Sequence, residues 1–212
     1  MKKLVWKFLN YIGIGGMIQL QLKSGLKEDG WFKSFQTKTS IDVNGNALAW
    51  YNYGFLRFLS TRLKNDFEVF EYGAGNSTIW YAKSVKSVIA VENDKQWIEM
   101  LTPKIPENAK VIYKEINEKN EYLYAIASFQ KKYDIVVVDG RRRNDCVMLA
   151  VDYLTTRGVV ILDNADREDY QPAKDFMEKK GFKRIDFWGI SPIVAINTCT
   201  CVFYQPENCL NI

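Results

Sequence analysis

Short apolar runs alternate with amphipathic stretches along most of the chain. Such runs lie at 67–70, 87–91, 110–113, 133–138 and 158–162. Continuous apolar runs of this length are typical of parallel strands that are covered on both faces. In the stretch 47–63, Tyr51, Phe55, Leu59 and Leu63 recur at four-residue steps, which predicts an amphipathic helix.

Two further runs, 182–188 and 198–204, are joined by a loop that contains Pro192 and shows no helical pattern. A connection without a helix implies an antiparallel pair. The pattern therefore predicts a three-layer, doubly wound α/β domain whose sheet has about seven strands, mostly parallel with an antiparallel last strand. We assign this domain to residues 47–212 and an N-terminal helical extension to residues 1–46.

The first predicted strand leads into a loop with two glycines and then into a helix. Glu71 stops the apolar run, and a carboxylate at the end of a buried strand needs a polar partner. Gly73 and Gly75 allow a sharp turn and a close approach of the backbone to a ligand, and the start of the following helix attracts negative charge. This combination predicts a nucleotide-type cofactor site. The residues expected at it are Glu71, Tyr72, Gly73, Gly75, Asn76 and Ser77.

A second acidic residue, Glu92, ends the next predicted strand, 21 positions after Glu71. From there it can accept hydrogen bonds from ribose hydroxyls. Together with the glycine loop, it resembles the cofactor motifs of the class I S-adenosylmethionine-dependent methyltransferases, which have a Rossmann-like fold. The resemblance covers about residues 47–205 and implies that S-adenosylmethionine is the cofactor. It also implies that the glycine loop and its acid hold the methionine part, Glu92 the ribose and Asn93 the adenine.

Thr78 stands where a dinucleotide fingerprint, G-x-G-x-x-G, has its third glycine. The loop therefore favours S-adenosylmethionine over a nicotinamide cofactor. A nicotinamide-dependent oxidoreductase stays an alternative function, and a chance strand–turn–helix with two glycines is the non-functional alternative.

Oxygen-bearing side chains also follow the fourth and fifth predicted strands, at Asp139 and at Asp163 with Asn164. This arrangement resembles the catechol and caffeoyl-CoA type of O-methyltransferases, where it holds a divalent cation beneath the acceptor hydroxyls. Because such oxygens suit Mg²⁺, the resemblance predicts a magnesium site at these three residues and a catalytic role for Asp139, beside the cofactor's sulfonium. The chain departs from that family at Arg142, where a lysine is usual. The alternative is that Asp139 only borders the cofactor pocket.

The composition of the chain limits which side chains can transfer protons or bind partners. The chain of 212 residues has no histidine, so proton transfer falls to carboxylates, Lys, Tyr, Cys or water. Its four cysteines match no zinc or thioredoxin spacing, which is typical of reduced cysteines in a cytoplasmic protein. A net charge of +4 is too small to indicate nucleic acid. The run Arg141-Arg142-Arg143 is either a solvated loop or a clamp for an anionic or sugar-derived acceptor.

Residues 1–24 are basic and aromatic, and polar side chains interrupt their apolar positions. The stretch is too short and too polar to span a bilayer. We expect a helix that packs on the domain, with peripheral contact to a membrane surface or a partner as the alternative.

These patterns together predict S-adenosylmethionine-dependent methyl transfer to a small molecule, at oxygen. A non-catalytic domain that binds the cofactor or serves as a scaffold is the alternative from another class. Aminopropyl transfer has no support, because no acidic polyamine pocket can be read from the sequence.

Overall fold

Seven strands form one mixed sheet in the computed structural model, which describes residues 2–212. They are β1 (Glu68–Tyr72), β2 (Ser87–Glu92), β3 (Ala109–Tyr113), β4 (Tyr133–Val138), β5 (Leu154–Asp163), β6 (Lys183–Ile190) and β7 (Asn197–Tyr204). The order across the sheet is β3-β2-β1-β4-β5-β7-β6. The first five strands are parallel, and β7 is antiparallel to both of its neighbours. The predicted sheet is therefore confirmed.

Helices cover both faces of this sheet, and four further helices precede it at the N-terminal end of the chain. They are α1 (Lys2–Tyr11), α2 (Gly15–Leu22), α3 (Gly25–Glu28), α4 (Trp31–Thr37), α5 (Tyr53–Ser60), α6 (Asn76–Ala82), α7 (Lys95–Leu101), α8 (Arg143–Ala150) and α9 (Gln171–Lys179). The side chain of Asn52 starts α5 by accepting a bond of 2.9 Å from the Phe55 N–H. Its amide also donates to the Phe187 carbonyl at 2.7 Å, which fixes α5 to β6.

The strand alternation divides the core between the two faces of the sheet. In β1, Phe70 and Tyr72 belong to the cluster on one face, and Val69 belongs to the cluster on the other. Glu71 shares the Val69 face by this alternation, in the layer that also buries Tyr51 and Tyr81. The direction of each side chain at the end of β1 follows from this register.

The N-terminal helices differ from the expectation. None of the residues of α1 is buried, and α2 buries only Gly15. The predicted packing of residues 1–24 on the domain is therefore not found. Within residues 2–212, no helix combines the length and apolar character that a membrane span requires.

Candidate cofactor-binding site

A cavity of about 540 Å³ opens where the carboxyl ends of β1, β2 and β4 meet. Open α/β sheets bind ligands at this edge, and the volume falls in the range of small-molecule sites. The predicted residues that line it are Gly73, Gly75, Asn76, Ser77, Glu92, Asn93 and Asp139. The predicted residues outside its lining are Glu71, Tyr72, Asp163 and Asn164.

The glycine loop and the turn after β4 touch each other through their backbones. Gly73 has φ +99°, a left-handed conformation that favours glycine. A Cβ on Gly140 would overlap the Tyr122 hydroxyl and would lie 2.9 Å from the Gly73 nitrogen. Only glycine at position 140 therefore permits this approach of β1 and β4. The Thr78 hydroxyl accepts a 3.2 Å bond from the Gly75 N–H, which connects the glycine loop to the first turn of α6.

Glu92 joins the ends of β1 and β2. One carboxylate oxygen accepts bonds from the N–H groups of Asn93, at 2.7 Å, and Asp94, at 3.1 Å. The other accepts from the Ala74 N–H at 3.2 Å. Trp97 adds a wall to the cavity, and its indole N–H donates to the Ala74 carbonyl at 2.7 Å. Three backbone N–H groups thus orient the Glu92 carboxylate at the edge of the cavity.

Loops far away in the sequence complete the cavity. Residues 38–40 line it, and the Asn76 side chain donates to the Ser40 carbonyl at 2.7 Å, which fixes this segment beside the glycine loop. Trp50 and Ile193 also face the cavity. No local pattern in the sequence indicates that Ile193 belongs to this cavity.

Glu71 lies behind the glycine loop and not in the cavity. Its side chain is 1% exposed, and neither carboxylate oxygen has a hydrogen-bond partner among the described residues. Burial raises its pKa to about 8, although the nearby hydroxyls of Thr78 and Ser77 act in the opposite direction. Tyr72 points to the opposite face, where its hydroxyl donates to the Leu123 carbonyl at 2.8 Å.

Asp139 is held by Arg143. The guanidinium donates to the Asp139 carboxylate at 2.9 Å and to its carbonyl at 2.7 Å. The Asp139 side chain is one-third exposed, whereas that of Arg143 is 9% exposed. Burial raises the pKa of Asp139, and the charge of Arg143 limits the rise. Burial and the charge of Asp139 also raise the pKa of Asp163, whose carboxylate accepts a 2.6 Å bond from Thr200.

The structure gives no support to the magnesium prediction. Arg143 donates to the Asp163 carbonyl at 2.6 Å and to the Asn164 side-chain oxygen at 3.3 Å, in addition to Asp139. Its guanidinium therefore contacts all three residues predicted to hold the metal, through the side-chain oxygens of Asp139 and Asn164 and the backbone carbonyl of Asp163. Across residues 2–212, no group of three or more Cys, Asp or Glu side chains has an arrangement that could hold a metal ion.

The arginine run is also not a single clamp. Arg142 forms a salt bridge with Asp145 at 2.7 Å, whereas Arg143 points toward Asp139 and is largely buried. Only Arg141 and Arg143 of the three line the cavity.

The sequence matches no protein-family model and no curated protein. Solved structures do resemble its fold. A precorrin-6y C5,15-methyltransferase from Geobacter metallireducens is 14% identical, with a TM-score of 0.59 over 81% of this chain and 97% of that one. A Streptococcus mutans protein in complex with S-adenosylhomocysteine is 12% identical, with a TM-score of 0.52 over 70% of this chain and 94% of that one. A spermidine synthase in complex with the transition-state analogue AdoDATO is 16% identical, with a TM-score of 0.52 over 69% and 55%.

At these identities the likeness defines the fold alone. The chain has the Rossmann-like fold of the class I S-adenosylmethionine-dependent methyltransferases, with its antiparallel β7 inserted between β5 and β6.

Proposed function

We propose that this chain is an S-adenosylmethionine-dependent methyltransferase that acts on a small-molecule acceptor, at oxygen. The observation that carries the proposal is the cavity, where the glycine loop, Glu92 and Asp139 meet at the ends of three neighbouring strands. The strand order also counts against a nicotinamide cofactor. The dinucleotide-binding sheet has the order 3-2-1-4-5-6, whereas in this sheet the antiparallel β7 lies between β5 and β6.

The lining residues fit this cofactor. Gly73 and Gly75 would lie against its methionine part, Glu92 would bind the ribose, and Asn93 would lie beside the adenine. Trp97, next to Gly75, adds an aromatic surface at the same end. The cofactor supplies a methyl group on a positively charged sulfonium, and the protein's task is to align donor and acceptor for in-line displacement.

Methylation at oxygen also requires a proton acceptor. Asp139 lines the cavity, and a carboxylate there is an available general base in a protein without histidine. Arg143 fixes the carboxylate through one oxygen, at 2.9 Å. We assign Asp139 to orienting the acceptor hydroxyl and accepting its proton, with Arg143 as the positioning residue and no metal ion in this step.

Two cations in the lining of the cavity bear on the chemistry of the acceptor. Lys38 and Arg141 both line it, and within residues 2–212 neither has a carboxylate within salt-bridge distance. This supports an acceptor that is anionic or sugar-derived.

The test is acceptor-dependent formation of S-adenosylhomocysteine from S-adenosylmethionine, across a panel of phenols, hydroxy acids and sugar acids. We expect turnover that Asp139→Asn lowers by about 100-fold or more, with cofactor affinity changed far less. Asp175→Asn, an exposed change on α9, is the matched control.

Two results would contradict parts of the proposal. Cofactor binding without turnover on any acceptor would favour a non-catalytic binding or scaffolding domain. Turnover only with decarboxylated S-adenosylmethionine, by transfer of its aminopropyl group, would move the chain to the reaction class of the spermidine synthases.

A further inference from the structure

Helices α1 and α2 present an apolar surface that the domain does not cover. None of the residues of α1 is buried, and α2 buries only Gly15. The exposed fractions reach 74% for Leu4, 60% for Phe8 and 89% for Tyr11. Apolar contiguous surfaces of this kind mark interaction sites on a folded protein.

The helix α1 is amphipathic. Lys3, Lys7 and Asn10 recur at four- and three-residue steps and form a polar face. Leu4 and Phe8 lie beside it on the apolar face. The turn to α2 continues the apolar surface, since Ile12 and Ile14 are both exposed there. An apolar face bordered by lysines is the arrangement of helices that lie in a membrane interface.

The charge of the protein is concentrated in the same place. We define the N-terminal segment as residues 2–27. It contains five lysines and no Asp or Glu. The whole chain has 29 basic and 25 acidic residues, so 24 basic and 25 acidic residues remain outside the segment. The excess of basic over acidic residues therefore lies within residues 2–27, which also carry the exposed apolar helices and are followed by the acidic Glu28 and Asp29.

We propose that the N-terminal segment binds the surface of an anionic lipid bilayer, with α1 and α2 in the interface and the α/β domain on the aqueous side. An anionic lipid surface satisfies both features at once, since its acyl region accepts the apolar face and its headgroups attract the lysines. A second copy of the chain docked through the same segment would instead bring together two segments that each contain five lysines and no acidic residue. The proposal is independent of the proposed enzymatic function.

Flotation of the full-length protein with vesicles tests this directly. The vesicles contain phosphatidylcholine alone or phosphatidylcholine mixed with phosphatidylglycerol. We expect binding to the anionic vesicles only, and release at high salt. Lys3→Glu with Lys7→Glu should lower the partition coefficient by about tenfold or more, because each lysine near an anionic surface contributes on the order of 1 kcal/mol. Phe8→Ser should weaken binding to the anionic vesicles as well.

The matched control is Lys179→Glu with Lys180→Glu, which makes the same charge change on exposed positions at the end of α9. It should bind the vesicles like the wild type, and circular dichroism and thermal unfolding should be unchanged in all variants. Wild-type protein that ignores anionic vesicles, or binds phosphatidylcholine equally well, would overturn the proposal. Equal loss in the control would also overturn it. The proposal would also be overturned if the wild-type protein does not bind vesicles but forms a dimer, and Phe8→Ser dissociates that dimer.

Discussion

Replacing Glu71 with glutamine should change how the stability of the protein depends on pH. The Glu71 carboxyl is 1% exposed, and burial raises its pKa to about 8. An unfolded glutamate has a pKa of about 4.3. Between these values the folded protein keeps a proton that the unfolded chain releases, so the free energy of unfolding falls as the pH rises through this window.

The magnitude follows from the width of that window. Each pH unit inside it costs about 1.4 kcal/mol, so Glu71 should lower the free energy of unfolding by about 2 to 3 kcal/mol between about pH 5 and pH 7. Glu71→Gln has no proton to lose and should not show this contribution. The stability of the variant relative to the wild type should therefore rise by about 2 to 3 kcal/mol over that range.

Glu68, at the other end of β1, is the matched control. Although burial acts against it, hydrogen bonds from Lys131 and Ser87 lower the Glu68 pKa to about 2. Its stabilising contribution is present above the unfolded pKa and is lost as the pH falls through about 2. The difference between Glu68→Gln and the wild type should therefore stay almost constant between about pH 5 and pH 7.

Urea unfolding followed by tryptophan fluorescence measures all three proteins at each pH. A difference between Glu71→Gln and the wild type that does not change with pH would refute the reasoning. It would mean that the Glu71 carboxyl is ionised in the folded protein.

Two further predictions concern the packing around the cavity. Gly140→Ala should lower the free energy of unfolding by about 1 to 3 kcal/mol and weaken cofactor binding, because the new Cβ overlaps the Tyr122 hydroxyl. Gly16→Ala is the control and should have neither effect, because a Cβ at that position meets no atom within 4 Å. Equal behaviour of the two variants would contradict the close approach of β1 and β4. Arg143→Gln should cost about 1 to 3 kcal/mol in urea unfolding, since it removes the guanidinium bonds to the Asp139 carboxylate and to the carbonyls of Asp139 and Asp163. Arg142→Gln removes a partly exposed pair with Asp145 and a bond to the Asn120 side chain, and it should cost less than about 1 kcal/mol. An equal loss in both variants would argue against the position of Arg143 between Asp139 and Asp163.

The fold could be predicted from the sequence because its signals are local. The run 87–91 with Glu92 matches β2, and the helix-free connection before β7 indicated the antiparallel pair. The glycine loop and Glu92 line the same cavity because the carboxyl ends of parallel strands share one edge of the sheet.

Other parts depend on contacts that no local pattern encodes. Asn76 bonds to Ser40 across 36 residues, and Ile193 enters from another loop. An arginine run does not reveal that Arg143 turns inward to Asp139. Strand alternation was the available signal for Tyr72, which shares the face of Phe70 and so points away from the cavity side of β1.

The N-terminal segment shows the same limit. Its helical periodicity could be recognised from the sequence. Whether the domain covers its apolar face depends on tertiary packing, which the sequence pattern does not show.

The most direct test of the central claim is calorimetric titration with S-adenosylhomocysteine, S-adenosylmethionine and NADH. The account predicts micromolar binding of the first two ligands and none of NADH, with or without Mg²⁺. Glu92→Ala should weaken that binding by about tenfold or more, on the scale of one lost hydrogen bond to a charged group. Glu99→Ala, an exposed change on α7, should leave it unchanged. Folded protein that binds neither adenosyl ligand, or that binds NADH instead, would contradict the account.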